Sequence, residues 1–308
     1  MLEREQKERR AIVLKPGTLW KRVSEQTEYA LRCGALQTIP TEYEFVEQNG
    51  INFLVRISSN LARKDEAKKQ QEQKSATSGK EVNPFLPYEK DLFVADISDT
   101  HLCILNKYNV VPHHLLIITR DFEDQDCWLT LQDFEALWTC LAEINGLAFY
   151  NGGKIAGSSQ RHKHLQLVPF PFVPGINSIP IEPALSCVKF QGSLGKIPAF
   201  PFLHAFAKLA PAWVNSPLDA AKVTLECYRT LLEAVGLPFE GNRQTGAYNL
   251  LATREWMLIV PRSQESFESI SVNSLGFAGT MFVRNHQQLE FLKKYTPMTI
   301  LKNVAYAS

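Results

Sequence analysis

The sequence predicts an α+β fold built from two related halves. The segment 101–120, HLCILNKYNVVPHHLLIITR, contains two apolar runs separated by a polar turn, which is typical of a strand, a turn and a second strand. A helix is predicted over 130–147, because its apolar residues recur every three or four positions and Gly146 follows them as a stop signal. A second amphipathic helix, over 219–237, also ends in glycine.

The short segments that follow these helices support a duplication. The pair Tyr248–Asn249 in the second half repeats Tyr150–Asn151 in the first. The segment WMLIVPR, which follows the second pair, resembles HLQLVPF, which follows the first. In this alignment His164 corresponds to Trp256. We therefore expect a repeat in which only the first half kept its chemistry.

Composition limits both the domain organisation and the function classes. A chain of 308 residues with 45% hydrophobic and 21% charged residues is long enough for two domains, and we place the boundary between 1–185 and 186–308. The segment 62–81 is almost free of large apolar residues and is predicted to be a flexible loop. A net charge of +1 gives no reason to expect nucleic acid as a partner, and no apolar run is long enough for a membrane span. Six scattered cysteines and a charged N-terminal segment favour a cytoplasmic protein.

The segment 158–169, SSQRHKHLQLVP, concentrates the polar chemistry. On a strand, His162, His164 and Gln166 would project from one face, since side chains alternate. A solvent-facing edge strand would explain a lone pair of histidines. The preceding GGKIAGSS turn favours a phosphate site instead, because glycines allow close backbone approach and serines add donors.

Metal binding is the main alternative for this pair of histidines. A metal site needs a third or fourth ligand, and the nearest candidates are His113 and His114, which we expect at a surface strand end. We therefore predict no metal site. A neutral imidazole is a good nucleophile at phosphorus near neutral pH, because its pKa is about 6.5. Attack on a nucleotide phosphate would form a covalent phosphoramidate.

Several motifs together resemble one family. GSSQRHKHLQ, LNKYNVVPHHLLIITR, NSLGFAGTMFVR, NPFLPYE and YNLLATREWMLIVPRS are similar to the diadenosine tetraphosphate phosphorylases, or ATP adenylyltransferases, of the histidine-triad and galactose-1-phosphate uridylyltransferase superfamily. The resemblance implies tandem histidine-triad-like halves, with antiparallel sheets and flanking helices. It also implies phosphorolysis of diadenosine tetraphosphate to ADP and ATP through an adenylylated histidine.

The resemblance assigns roles residue by residue. His164 matches the nucleophile, His162 would hold its ring in the attacking tautomer, and Gln166 stands where the hydrolase branch has a third histidine. Glutamine cannot exchange a proton as imidazole does, which fits an intermediate that waits for phosphate. The implied substrate contacts are Lys64, Asn106, Lys107, Asn151, Gly157, Ser158, Ser159, Gln160, Asn273, Ser274, Thr280 and Arg284.

The predicted partners are diadenosine tetraphosphate, ATP, ADP and phosphate, with no tightly bound cofactor and with Mg2+ arriving on the nucleotide. Uridylyl transfer to a hexose 1-phosphate would use the same chemistry and is the closest alternative. A hydrolase is disfavoured by Gln166, and a non-catalytic dinucleotide sensor by His164. The sequence leaves open the base, the polyphosphate length, the use of sulfate-containing nucleotides, the physiological direction and the oligomeric state.

Overall fold

A ten-stranded antiparallel sheet is the centre of the computed structural model, which describes residues 12–58, 83–176 and 178–308. The predicted loop 62–81, with Lys64, lies outside these residues. The strands of the sheet are β3 (Phe93–Asp96), β4 (His101–Leu105), β5 (Leu115–Thr119), β6 (Gly146–Gly152), β7 (His164–Pro169), β8 (Lys189–Gln191), β9 (Leu194–Lys196), β10 (Ala205–Lys208), β11 (Tyr248–Ala252) and β12 (Trp256–Pro261). Their order across the sheet is β3-β4-β5-β7-β6-β11-β12-β10-β9-β8.

The two halves of this sheet repeat each other, as the sequence predicts. Each half contributes five consecutive strands, and the halves meet where β6 pairs with β11, with Asn151 opposite Asn249. His164 and Trp256 are the first residues of the equivalent strands β7 and β12. The prediction of an α+β fold with related antiparallel halves is confirmed, and one continuous sheet runs through both.

The two predicted helices pack against each other on one face of this sheet. They are α2 (Leu131–Glu143) and α4 (Pro217–Ala234), and their apolar sides form one core with alternate residues of β6, β7, β11 and β12. The α2 helix ends before the predicted position 147, because Gly146 already begins β6. Its start is fixed by a capping box between Thr130 and Asp133.

A smaller sheet joins the beginning and the end of the chain. Its order is β1-β2-β15, where β1 (Glu42–Gln48) and β2 (Ile51–Ile57) are antiparallel and β15 (Thr280–Val283) runs parallel to β2. Because this pairing crosses the division at 185/186, that boundary stays a prediction.

In the part of the chain that the structure describes, five further α-helices and a two-stranded sheet lie outside the elements given above. None of the helices in that part of the chain is long and apolar enough to cross a bilayer. The remaining elements are α1 (Leu19–Cys33), α3 (Glu182–Leu185), β13 (Ser266–Phe267), β14 (Ile270–Ser271), α5 (Ser274–Phe277), α6 (His286–Tyr295) and α7 (Pro297–Val304).

Candidate active site

His164 is held in one tautomer by the backbone. Its side chain is buried at the start of β7, and its Nδ1–H donates to the carbonyl oxygen of His162 over 2.8 Å. A carbonyl can only accept, so Nδ1 carries the proton and the lone pair lies on Nε2. The backbone N–H of His164 donates to Oε1 of Gln125 over 2.9 Å, which fixes the start of the strand. These contacts leave Nε2 as the ring nitrogen that could act as a nucleophile.

His162 lies just before β7, and its ring is tied to other elements. Its Nε2–H donates to the carbonyl oxygen of Thr119 over 2.8 Å, and its Nδ1 accepts from the side-chain amide of Asn83 over 2.9 Å. Burial lowers the pKa of His162, which keeps the ring neutral. The ring of Phe85 lies edge-on to both histidine rings, with centroids 5.5 Å away in each case. Thus the hydrogen bond between His162 and His164 uses the carbonyl of His162 and not its ring.

Gln166 is oriented by a chain of hydrogen bonds. The side-chain amide of Asn106 donates to Nδ1 of His114 over 3.1 Å, so His114 carries its proton on Nε2 and donates to Oε1 of Gln166 over 3.0 Å. The amide NH2 of Gln166 is then the end available as a donor for phosphoryl oxygens.

The prediction that His114 is a surface residue is wrong. His114 is only 8% exposed, whereas the neighbouring His113 is partly exposed and contacts Oγ1 of Thr27 over 3.0 Å. The turn explains the difference, because His113 adopts a left-handed conformation (φ 57°) that reverses the chain and directs it into β5.

The glycine- and serine-rich turn over 152–160, predicted to bind phosphate and called the phosphate turn below, is compact. Gly157 has φ 92°, and a Cβ there would lie 2.9 Å from Cβ of Asn273, so the position requires glycine. The Ser158 hydroxyl donates to the carbonyl of Gln160 over 2.9 Å and is buried, whereas Ser159 is exposed. The structure therefore brings Asn273 next to this turn. Contact with substrate stays a prediction for each of these five residues: Gly157, Ser158, Ser159, Gln160 and Asn273.

Asn151 and Ser274 meet in a buried polar cluster between the halves. Oδ1 of Asn151 accepts from the backbone N–H of Ser274 over 3.0 Å, from its hydroxyl over 2.8 Å and from Nδ2 of Asn249 over 2.9 Å. Arg262 donates to Oδ1 of Asn249 over 2.6 Å, and Ser274 is fully buried. Ser274 therefore has a structural role here that the sequence does not predict, and Asn151 can offer substrate only its amide NH2.

The remaining predicted contacts lie on other elements. Nζ of Lys107 donates to Glu89 over 2.7 Å, and Oδ1 of Asn273 caps α5 by accepting from the backbone N–H of Leu275 over 3.0 Å. Thr280 is buried on β15, and its hydroxyl finds no hydrogen-bond partner among the described residues. Arg284 is exposed just beyond the same strand. Their contact with substrate stays a prediction.

Sequence reasoning missed three residues that hold the histidines. Asn83 contacts His162, Gln125 contacts His164, and Thr119 accepts from His162. Asn83 belongs to the NPFLPYE motif, which was the available signal. Within the described ranges, no three His, Cys, Asp or Glu side chains are grouped closely enough to hold a metal ion.

The fold, with a histidine at the start of β7 and a glycine- and serine-rich turn shortly before it in the chain, together with the family models that match the chain, defines a nucleotidyltransferase class of protein. The chain belongs to the Ap4A phosphorylase family: the family model of the Ap4A phosphorylase N-terminal domain matches residues 9–187, and that of the ATP adenylyltransferase C-terminal domain matches residues 198–307.

Two curated proteins and one solved structure are similar to this chain. The chain is 28% identical over 271 residues to diadenosine 5',5'''-P1,P4-tetraphosphate phosphorylase 2 of Saccharomyces cerevisiae, covering 80% of each protein. It is 28% identical over 210 residues to Protein APA1 of the same yeast, covering 60% of this chain and 61% of that protein. The crystal structure of yeast Ap4A phosphorylase Apa2 in complex with Ap4A has the same fold, with a TM-score of 0.77, 22% identity and coverage of 96% of this chain and 99% of that chain.

Proposed function

We propose that this protein phosphorolyses diadenosine tetraphosphate to ADP and ATP through a covalent adenylyl-histidine. The observation that carries the proposal is the hydrogen bond from Nδ1–H of His164 to the carbonyl of His162. It leaves the Nε2 lone pair as the nucleophile without any need for a general base. Family membership and the yeast relative that bears this activity in its name support the substrate assignment.

In the first step, Nε2 of His164 attacks the phosphorus next to one adenosine. A nitrogen–phosphorus bond forms, the bond from that phosphorus to the bridging oxygen breaks, and ATP leaves. The ring becomes cationic in the phosphoramidate, and the His162 carbonyl stabilises the charge through the retained Nδ1–H bond.

In the second step, an oxygen of inorganic phosphate attacks the same phosphorus. The nitrogen–phosphorus bond breaks, the electron pair returns to Nε2 and the product is ADP. The reaction is reversible, so ADP and ATP would regenerate the dinucleotide and phosphate. Each step needs charge stabilisation on the equatorial oxygens more than proton transfer.

Gln166 and the phosphate turn would supply that stabilisation. The His114 contact occupies Oε1 of Gln166 and directs its NH2 group as a donor. An amide cannot deprotonate water, which favours transfer to phosphate over hydrolysis. We further propose that Mg2+ enters with the polyphosphate, and that the reaction is cytoplasmic, in keeping with six free cysteines.

Product analysis tests the reaction. The protein is incubated with diadenosine tetraphosphate with and without phosphate, and nucleotides are separated by chromatography. We expect ADP and ATP to accumulate over many turnovers only when phosphate is present, and at most one ATP per protein without it. AMP and ATP in its absence would identify a hydrolase, and turnover of UDP-hexose with hexose 1-phosphate would identify a uridylyltransferase.

A further inference from the structure

A buried charge cluster lies behind the nucleophile, on the opposite face of the sheet. Lys163 stands between the two histidines and is only 1% exposed, and its Nζ donates to Oδ2 of Asp133 over 2.8 Å and to Oε2 of Glu123 over 3.0 Å. Burying a lysine is costly unless it is paired. No step of the proposed reaction uses this amine, because it points toward α2 and away from His164.

Asp133 is anchored at the start of α2. Its Oδ2 accepts from the backbone N–H of Thr130 over 2.7 Å, and its Oδ1 lies 3.1 Å from Nε2 of His101 on β4. Burial alone would raise the pKa of Asp133, but Lys163 and His101 hold it well below its usual range. The carboxylate is therefore charged and fixed between the helix and the sheet.

One rigid peptide group connects this cluster to the nucleophile. The carbonyl of His162 and the N–H of Lys163 belong to the same planar unit. That N–H donates to the carbonyl of Glu123 over 2.8 Å, while the carbonyl on its other side accepts from Nδ1–H of His164 over 2.8 Å. Fixing Lys163 therefore fixes the acceptor that selects the tautomer of His164.

We propose that Lys163, clamped by Asp133 and Glu123, is a positioning residue that holds the His162–Lys163 peptide so that His164 stays in its reactive tautomer. The inference rests on the proposed function for its catalytic consequence. Its structural consequence, the tautomer of His164 in the resting protein, can be measured without any turnover.

The test compares Lys163→Met and Asp133→Asn with Lys222→Met, a control at an exposed lysine of α4. Nitrogen-15 NMR of histidine-labelled protein reports which nitrogen of His164 carries the proton, with the His164 signals assigned by their loss in His164→Gln. Rapid mixing with diadenosine tetraphosphate, phosphate omitted, gives the rate of AMP transfer and the nucleotide affinity.

We expect wild type and Lys222→Met to carry the proton on Nδ1, and both clamp variants to show a fraction with the proton on Nε2. Transfer should slow by ~10- to 100-fold in the clamp variants, because a displacement of about 1 Å at a reacting group has a cost of that size. Nucleotide affinity should be unchanged, since the cluster faces away from substrate.

Folded Lys163→Met or Asp133→Asn with the wild-type tautomer and the wild-type transfer rate would overturn the proposal. If both variants fail to fold, Glu123→Gln decides the question, because the carboxylate of Glu123 is 47% exposed and can be altered without burying a new group. Absence of the AMP adduct on wild type would reject the proposed function, while the NMR comparison would still decide the role of Lys163.

Discussion

His114 connects a turn to the reaction centre, since it joins Asn106 to Gln166 through its two ring nitrogens. Its removal should release the Gln166 amide, whose orientation then varies. Gln166 itself stays on β7, so the loss would affect the transition state more than binding.

We expect His114→Ala to lower kcat by ~10- to 100-fold with little change in KM, because removing one oriented donor costs about 100- to 1000-fold and Gln166 here stays in place and loses only its orientation. His113→Asn is the matched control, since asparagine tolerates the left-handed backbone and His113 contacts Thr27 instead. Steady-state kinetics of diadenosine tetraphosphate phosphorolysis check this. Equal losses in the two variants, or none in His114→Ala, would refute the role given to His114.

His204 is the equivalent of His114 in the second half. It precedes β10 as His114 precedes β5, and Ala205 pairs with Ile259 as Leu115 pairs with Leu167. Its Nδ1–H donates to the carbonyl of Phe202 and its Nε2 accepts from the N–H of Ile197, both over 2.8 Å. Burial lowers the pKa of His204 to about 4. This ring is therefore a neutral structural element.

This neutral histidine should make stability depend on pH. A lowered pKa in the folded state adds stability that is fully present above the unfolded value of about 6.5, and that is lost as the pH falls toward about 4. The loss should reach about 3 kcal/mol in the free energy of unfolding. Urea unfolding across this range should show the slope in wild type and a smaller slope in His204→Gln. The same slope in both proteins would contradict the assignment.

Among the elements, α2 orients the charge cluster of Lys163, Asp133 and Glu123 through its first turn. The hydroxyl of Thr130 accepts from the backbone N–H of Asp133 over 3.4 Å, and the backbone N–H of Thr130 donates to Oδ2 of Asp133 over 2.7 Å. This capping box sets where the helix begins and so where Asp133 meets Lys163.

Thr130→Ala should lower the free energy of unfolding by about 1 kcal/mol, as is typical for loss of an N-cap. The control is Thr230→Ala on the exposed side of α4, where alanine has the higher helix propensity and no destabilisation is expected. Thermal and urea unfolding measure both. A cap variant as stable as the control would show that the box does not fix α2.

The elements were predictable where their signals are local. The spacing of apolar residues along the sequence predicts α2, α4, β4 and β5, because that spacing reflects which face each element buries. The pairing of β2 with β15 was not predictable, since it joins segments more than two hundred residues apart. Gln125 and Asn83 were not predicted for the same reason, since their partners His164 and His162 lie far from them in the sequence. His162 and His164 could be predicted because they and the preceding turn form one continuous segment of the sequence.

At the scale of the whole molecule, the two halves share one sheet and one helical layer. β6 pairs with β11, and α2 packs against α4. Separating the halves would expose a long strand edge and an apolar helix face.

We therefore expect a fragment of residues 1–185 to aggregate or to lack a cooperative unfolding transition. Size-exclusion chromatography and circular dichroism on the fragment and the full chain measure this. A soluble fragment with its own cooperative transition would show that 1–185 is an independent domain, and that the shared sheet contributes little to its stability.

Intact-protein mass spectrometry tests whether His164 becomes adenylylated and whether phosphate accepts the group. Wild type and His164→Ala are each mixed with diadenosine tetraphosphate in the absence of phosphate. We expect one added AMP on wild type only, released as ADP when phosphate is supplied. If wild type binds the dinucleotide but gains no AMP, or if His164→Ala still gains it, His164 is not the adenylylated nucleophile.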